Sequence, residues 1–210
     1  MKKFILFSAF ISIALVMTAS IQDELTEELG QIQFSASDPE YEWSQIDTKQ
    51  IKVGFKSQSL QLESKLMDGF AYSVVELPIN VEDNAEFIFG FNLNGFKPTE
   101  ASKFGMIFDY QDIRNYKALA ISKKEYQYYG IKDGVASLIK SGPVKYKEDF
   151  FILIMKRENG GIEFWLNDIE VCKLRKIILS SSYFGVFING KGKAEMPSFI
   201  MYVPEQEDTE

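Results

Sequence analysis

Trp165 lies between Glu163 and Asn167 in the run Ile162-Glu-Phe-Trp-Leu-Asn167. In an extended strand these three side chains share a face opposite Ile162, Phe164 and Leu166. An aromatic ring flanked by a carboxylate and an amide is suited to stack a sugar and to hydrogen-bond its hydroxyls. Tyr126, Tyr128 and Tyr129 are candidates to supply neighbouring rings. The alternative for Trp165 is a core position in a sheet covered on both faces. A second constellation is Asp109-Tyr-Gln-Asp112-Ile-Arg-Asn115, three oxygen-bearing side chains at three-residue intervals in an expected loop. Calcium takes oxygen ligands from such turns. The alternative is a turn in which Asp112 bonds its own backbone and Asn115 opens the next strand. Calcium is the one candidate cofactor, and otherwise none is expected.

Other chemistries are removed by composition. The chain of 210 residues has no histidine and a single cysteine, Cys172. That excludes histidine-based triads, imidazole acid–base catalysis, HExxH zinc sites, an intrachain disulfide and any site with several thiolates. A formal charge of −7 argues against a general nucleic-acid binder. The short basic patches Lys140-x4-Lys145-x-Lys147 and Lys173-x-Arg175-Lys176 read as partners of surface acids. Cys172 reads as a small buried hydrophobe.

The elements that position these residues follow from the pattern of the chain. Met1-Lys2-Lys3, the apolar run Phe4–Met17 and the small residues Thr18-Ala19-Ser20 have the order of a secretory signal helix over 1–20, with cleavage near 19–21. Loss of Lys2 and Lys3 takes the charge from −7 to −9. The protein is expected to be exported, periplasmic or extracellular, with no membrane span after cleavage; the alternative is an uncleaved anchor. Residues 21–31 read as an acidic linker or short helix, 32–204 as one domain, and 205–210 as a charged tail.

The domain reads as β throughout. Ile51–Phe55, Ser59–Glu63 and Glu86–Phe91 alternate with period two, and turn residues recur about every ten positions. Asn94-Gly95 and Asp133-Gly134 are turn pairs that accept positive φ. Asp109–Asn115 reads as a polar turn and Tyr116–Tyr129 as a long apolar stretch. Phe150–Met155 is apolar at both parities, as in a strand between two layers. The 18 phenylalanines supply the core. The fold class expected is all-β, an antiparallel β-sandwich or jelly roll.

The order of landmarks resembles the concanavalin A-like (laminin G-like or legume-lectin type) sandwich, in the form found as an accessory module of secreted bacterial proteins. The resemblance rests on Phe34-x8-Trp43, Phe104–Phe108, Asn115–Ser122, Glu125–Gly130 with Lys132-Asp-Gly134, Phe151–Arg157 with Asn159-Gly160, Ile162–Asn167, Tyr183–Phe187 and Ser198–Met201. It covers residues 34–203. The family holds lectins, glycosidases, 3-keto-disaccharide hydrolase-like proteins and modules without a known ligand, so the fold leaves function open. Its jelly-roll glucanases use a Glu-x-Asp-x-x-Glu strand, which this chain lacks. Glu63-x4-Asp68 has a different spacing, and Glu163-x4-Asp168-x-Glu170 crosses a turn. The expectation is therefore a secreted, non-catalytic binding module whose partner is a glycan or a surface protein. Expected site residues are Trp165, Glu163, Asn167, Tyr126 and Tyr128, with Asp109, Asp112 and Asn115 for a metal. The alternatives are a sugar-active hydrolase of the same fold and a structural or protein-interaction domain.

Overall fold

The computed structural model describes residues 33–79, 81, 86–146 and 150–203. The expected signal helix, the linker and the charged tail lie outside the described residues. Within them there are sixteen strands and no helix. In chain order they are β1 (Gln33–Ser35), β2 (Ile46–Asp47), β3 (Ile51–Lys56), β4 (Ser59–Ser64), β5 (Phe70–Glu76), β6 (Phe87–Asn94), β7 (Lys103–Asp112) and β8 (Asn115–Ile121). There follow β9 (Glu125–Lys132), β10 (Val135–Pro143), β11 (Phe150–Glu158), β12 (Gly161–Leu166), β13 (Ile169–Leu174), β14 (Tyr183–Asn189), β15 (Gly192–Met196) and β16 (Ser198–Tyr202).

The strands form two antiparallel sheets. The six-stranded sheet runs β10-β9-β8-β7-β14-β5. The ten-stranded sheet runs β13-β12-β11-β6 and then divides along β6. The amino-terminal half of β6 pairs with β16, and Asn94 near its end pairs with Glu195 of β15. Pro197 separates β15 from β16. β15 continues through β4 and β3 to β2, whereas β16 is flanked by β1.

The hairpins follow from their turn chemistry. Asp133-Gly134 and Asn159-Gly160 both hold positive φ, at 52° and 81° and at 50° and 71°. These are the mirror-image turns whose twist matches paired strands. The stretch 116–129 is interrupted by a turn at Ser122–Lys124, where Ser122 Oγ bonds the main chain of Glu125 in both directions. The region read as a polar turn over 109–115 is mostly strand. β7 runs to Asp112, and the reversal is confined to Ile113-Arg114.

One parity of each strand fills the space between the sheets. Phe87, Phe89, Phe91 and Leu93 of β6 face Phe104, Met106 and Phe108 of β7 and Phe184, Val186 and Ile188 of β14, all buried. Phe104 and Phe151 stack with ring centroids 4.3 Å apart. Burying such side chains stabilises the fold by about 1.5–3 kcal/mol each. β11 is buried at both parities from Phe151 to Met155, as its composition implies. Ile154 lies over Gly90 of β6, where an added Cβ would meet it at 3.0 Å.

Tyr128 and Tyr146 carry phenols into this interior. Burial, with Asp109 nearby, pushes the Tyr128 hydroxyl up to about 12, and burial pushes Tyr146 up to about 12. The unfolded phenol titrates near 10. Between these values the unfolded chain has released protons that the folded chain keeps. This contribution to stability is complete below about pH 10 and is lost as pH rises toward about 12. The urea midpoint is expected to fall between about pH 9.5 and 11.5, and less steeply in Tyr128→Phe. Equal slopes in the two proteins would contradict this assignment.

Candidate functional site

The outer face of the six-stranded sheet carries a second apolar cluster, separate from the core. Its floor is Val74, Ile107, Ala118, Ala120 and Phe187, all buried, with Phe70, Tyr72, Tyr110, Tyr116, Tyr129 and Ile131 packed on it and half-buried. Strand register explains the assembly. Phe187 of β14 pairs with Tyr72 of β5 on one side and with Gly105 of β7 on the other. Ala118 of β8 lies between Ile107 and Tyr129. The rings pack over this floor and bury it.

Gly105 is where that floor requires glycine. A Cβ there would meet the Leu119 carbonyl oxygen at 1.9 Å and the Phe187 ring at 2.8 Å. With no side chain at Gly105, Phe187 reaches across β7.

The rings form a continuous arc. Phe70 stacks on Tyr72 at 5.3 Å and lies 5.1 Å from Phe187. Tyr72 and Tyr110 are 6.1 Å apart with hydroxyls at 3.4 Å, and Tyr110 is 6.1 Å from Tyr116. Phe70 and Tyr116 approach to 6.3 Å, although β5 and β8 are three strand spacings apart, about 14 Å. Rings from both sides therefore lean over the floor and cover it. Burial and then the Tyr72 neighbour raise the Tyr110 phenol far above its usual value, and burial raises Tyr116. Both are neutral donors at physiological pH.

Tyr110 reaches this face through a break in alternation. Asp109 adopts φ 52°, and the β7–β8 register shifts between Phe108 and Asp112. Such a bulge rotates the strand and exchanges the faces that follow it. Asp109 turns inward, buried, and ion-pairs with Lys117 while accepting hydrogen bonds from the Ser180 main-chain N–H at 2.6 Å and its hydroxyl at 3.2 Å. Tyr110 turns outward, its carbonyl held by the Ser181 hydroxyl.

A polar rim borders the arc toward the start of β9. Lys103 Nζ donates to Gln127 Oε1, as does the Tyr129 hydroxyl at 2.6 Å, and Gln127 Nε2 donates to Glu125 Oε1 at 2.7 Å. Asn189 is the strand neighbour of Lys103 on the same face. A cleft with a volume of about 580 Å³ opens beside Glu125, lined by Glu100, Ser122, Lys124, Ser141, Gly142 and Pro143.

The residues singled out from the sequence are placed differently. Trp165 stands, half-buried, on the outer face of the other sheet, between Ile154 and Glu170. Glu163 ion-pairs with Lys173, and Asn167 closes the turn at φ 49°, its Oδ1 accepting the Ile152 N–H at 2.8 Å. Both polar flanks of Trp165 thus serve the sheet. Tyr126 and Tyr128 do not join Trp165: they are buried between the sheets, and Tyr128 lies 6.0 Å from Phe108. Parity sends 126 and 128 inward and leaves Tyr129 outside. Asp109, Asp112 and Asn115 do not converge on one point. Asp109 is committed to Lys117 and Ser180, whereas Asp112 accepts from the Arg114 N–H at 2.6 Å and from the Asn115 amide, and Asn115 Oδ1 caps Asp133. Among the described residues no three acidic or cysteine side chains cluster as metal ligands. Cys172 is buried, as expected, and burial raises its thiol.

No protein-family model and no curated protein sequence matches the chain. Solved structures do. A carbohydrate-binding module of family 66 from Bacillus subtilis superposes with a TM-score of 0.58 at 14% identity, covering 76% of this chain and 94% of the module. A Bacillus subtilis protein of unknown function with a galectin-like fold gives 0.57 at 11%, covering 84% and 97%. A Bacillus licheniformis β-glucanase gives 0.57 at 10%, covering 84% and 99%. The fold is the concanavalin A-like sandwich. At these identities the likeness concerns the jelly roll and leaves its use open.

Proposed function

We propose that the protein is an exported, non-catalytic glycan-binding module whose site is the aromatic outer face of the six-stranded sheet. The observation that carries this reading is the arc of Phe70, Tyr72, Tyr110 and Tyr116 over Phe187, rimmed by Lys103, Gln127, Glu125 and Asn189. Half-buried rings offer apolar faces to sugar C–H groups while phenols, amides and charged tips meet hydroxyls. Similarity to a carbohydrate-binding module supports it. The basic and apolar start of the chain supports export.

Carboxylate placement favours binding over hydrolysis. Among the described residues Glu76 and Glu125 sit at opposite sides of this face, on β5 and β9, four strand spacings apart or about 19 Å, and Glu100, which lines the cleft beside Glu125, is ion-paired with Lys124. Glycosidases work with pairs about 5–9.5 Å apart. Glu76 is also engaged by the Tyr183 hydroxyl at 3.0 Å.

The test is a glycan array probed with residues 21–210. The reading expects selective binding to a small set of glycans. For the best of them, Tyr116→Ala should weaken binding about 10- to 100-fold, as loss of a stacking ring costs about 1–3 kcal/mol, in a protein whose circular dichroism shows the β fold retained. A blank array, with capture of a surface protein instead, would replace it with the protein-interaction reading.

A further inference from the structure

Lys103 has neutral partners. Its ammonium donates to the Gln127 amide oxygen and lies 5.8 Å from the centroid of the Tyr129 ring. Among the described residues it enters no ion pair, although the chain carries 30 acidic side chains against 23 basic ones. The other half-buried lysines among the described residues, Lys117 and Lys156, each meet a carboxylate. The nearest acid along the network is Glu125, and the Gln127 amide stands between the two, its oxygen toward the cation and its nitrogen toward the carboxylate. An ammonium has three donors and Gln127 takes one. The remaining donors belong to a half-buried cation at the rim of the aromatic arc, beside Asn189. A charge partly withdrawn from water among neutral groups gains most from an anionic partner.

We propose that this end of the face selects an acidic sugar, its carboxylate seated on Lys103 while the pyranose ring lies against the aromatic arc. The inference rests on the glycan reading and narrows its substrate class to uronic acids or sugars of the same chemistry. The net charge of −7 opposes long-range capture of a polyanion. The recognition is therefore a local contact with one acidic residue of a short saccharide, screened by salt.

Calorimetric titration with α-1,4-digalacturonate and with α-1,4-galactobiose isolates the carboxylate, since ring and linkage are the same. The wild type is expected to bind the acid at least 10-fold more tightly, and the preference should shrink at high salt. Lys103→Met should erase it, weakening binding of the acid at least 10-fold more than binding of galactobiose. Gln127→Glu, which gives the ammonium a carboxylate of its own, should erase it too, and Glu125→Gln should keep it. Equal binding of both sugars by the wild type, or a preference that survives Lys103→Met in a folded protein, would overturn the inference with the glycan reading intact. Failure of both sugars to bind, with other glycans retained on the array, would do the same. A blank array would overturn both.

Discussion

Phe89→Ala is expected to lower the free energy of unfolding by about 3–5 kcal/mol. Phe89 sits in the half of β6 that pairs with β16 and is 0% exposed. Its ring lies 5.6 Å from Phe184 of the opposite sheet and 6.4 Å from Phe91 and Phe199. Removing it opens a cavity walled by strands of both sheets, whose pairing prevents collapse around the void. Leu153→Ala, one strand away on β11 and also 0% exposed, should cost about 2–5 kcal/mol. Urea unfolding measures both, with Met67→Ala, 71% exposed, as the control that should leave the midpoint in place. Midpoints unchanged in both core variants would mean that the two sheets do not share this interior.

Asp109→Ala should be the most damaging polar substitution, at about 2–4 kcal/mol. Its carboxylate is 5% exposed and binds Lys117, itself 26% exposed, so water moderates only one side of the pair. The substitution leaves the Ser180 N–H without its acceptor and the Lys117 ammonium with the Ile178 carbonyl but no counter-charge, and Arg157, buried and near enough to feel the carboxylate, loses a compensating charge. It also places alanine at φ 52°, where aspartate and asparagine are better tolerated. Asp109→Asn keeps that backbone and one acceptor, and should cost about half as much. The aromatic face reports the same event. Once the bulge relaxes, Tyr110 loses its place beside Tyr72, so tyrosine absorbance on alkaline titration should show one phenol returning toward its ordinary value. Full stability in Asp109→Ala would show that the bulge does not depend on this carboxylate.

The sandwich was legible because its strands carry local grammar. Phe87, Phe89 and Phe91 alternate, Asn159-Gly160 and Asp133-Gly134 mark tight hairpins, and Phe150–Met155 is apolar throughout. β15 was not legible, since Gly192 and Pro197 resemble punctuation and its pairing with β4 is contributed by distant sequence. The site was less legible than the fold. Its residues come from β5, β7, β8, β9 and β14, and sequence shows parity within a strand but not which parity meets the core. By sequence Tyr126, Tyr128 and Tyr129 therefore all group with Trp165, whereas in the fold only Tyr129 lies outside, with Phe70 and Tyr72 on the other sheet. The one local signal for Phe70 and Tyr72 was their alternation with Ala71 and Ser73, two small residues that prove to be inward. Tyr110 carried no such signal, because the left-handed turn at Asp109 that exposes it is fixed by Ser180 and Lys117, 71 and 8 residues away.

The central claim is that recognition occurs on the six-stranded sheet and away from Trp165. It is tested most directly by mapping amide chemical-shift changes on adding the glycan that the array selects. The account predicts the largest changes at Phe70–Val74, Lys103–Ile107, Tyr116–Ala120, Glu125–Ile131 and Gly185–Asn189, with β11–β13 unmoved. Changes centred on Glu163–Asn167 and Ile152–Ile154, with the aromatic arc silent, would contradict it.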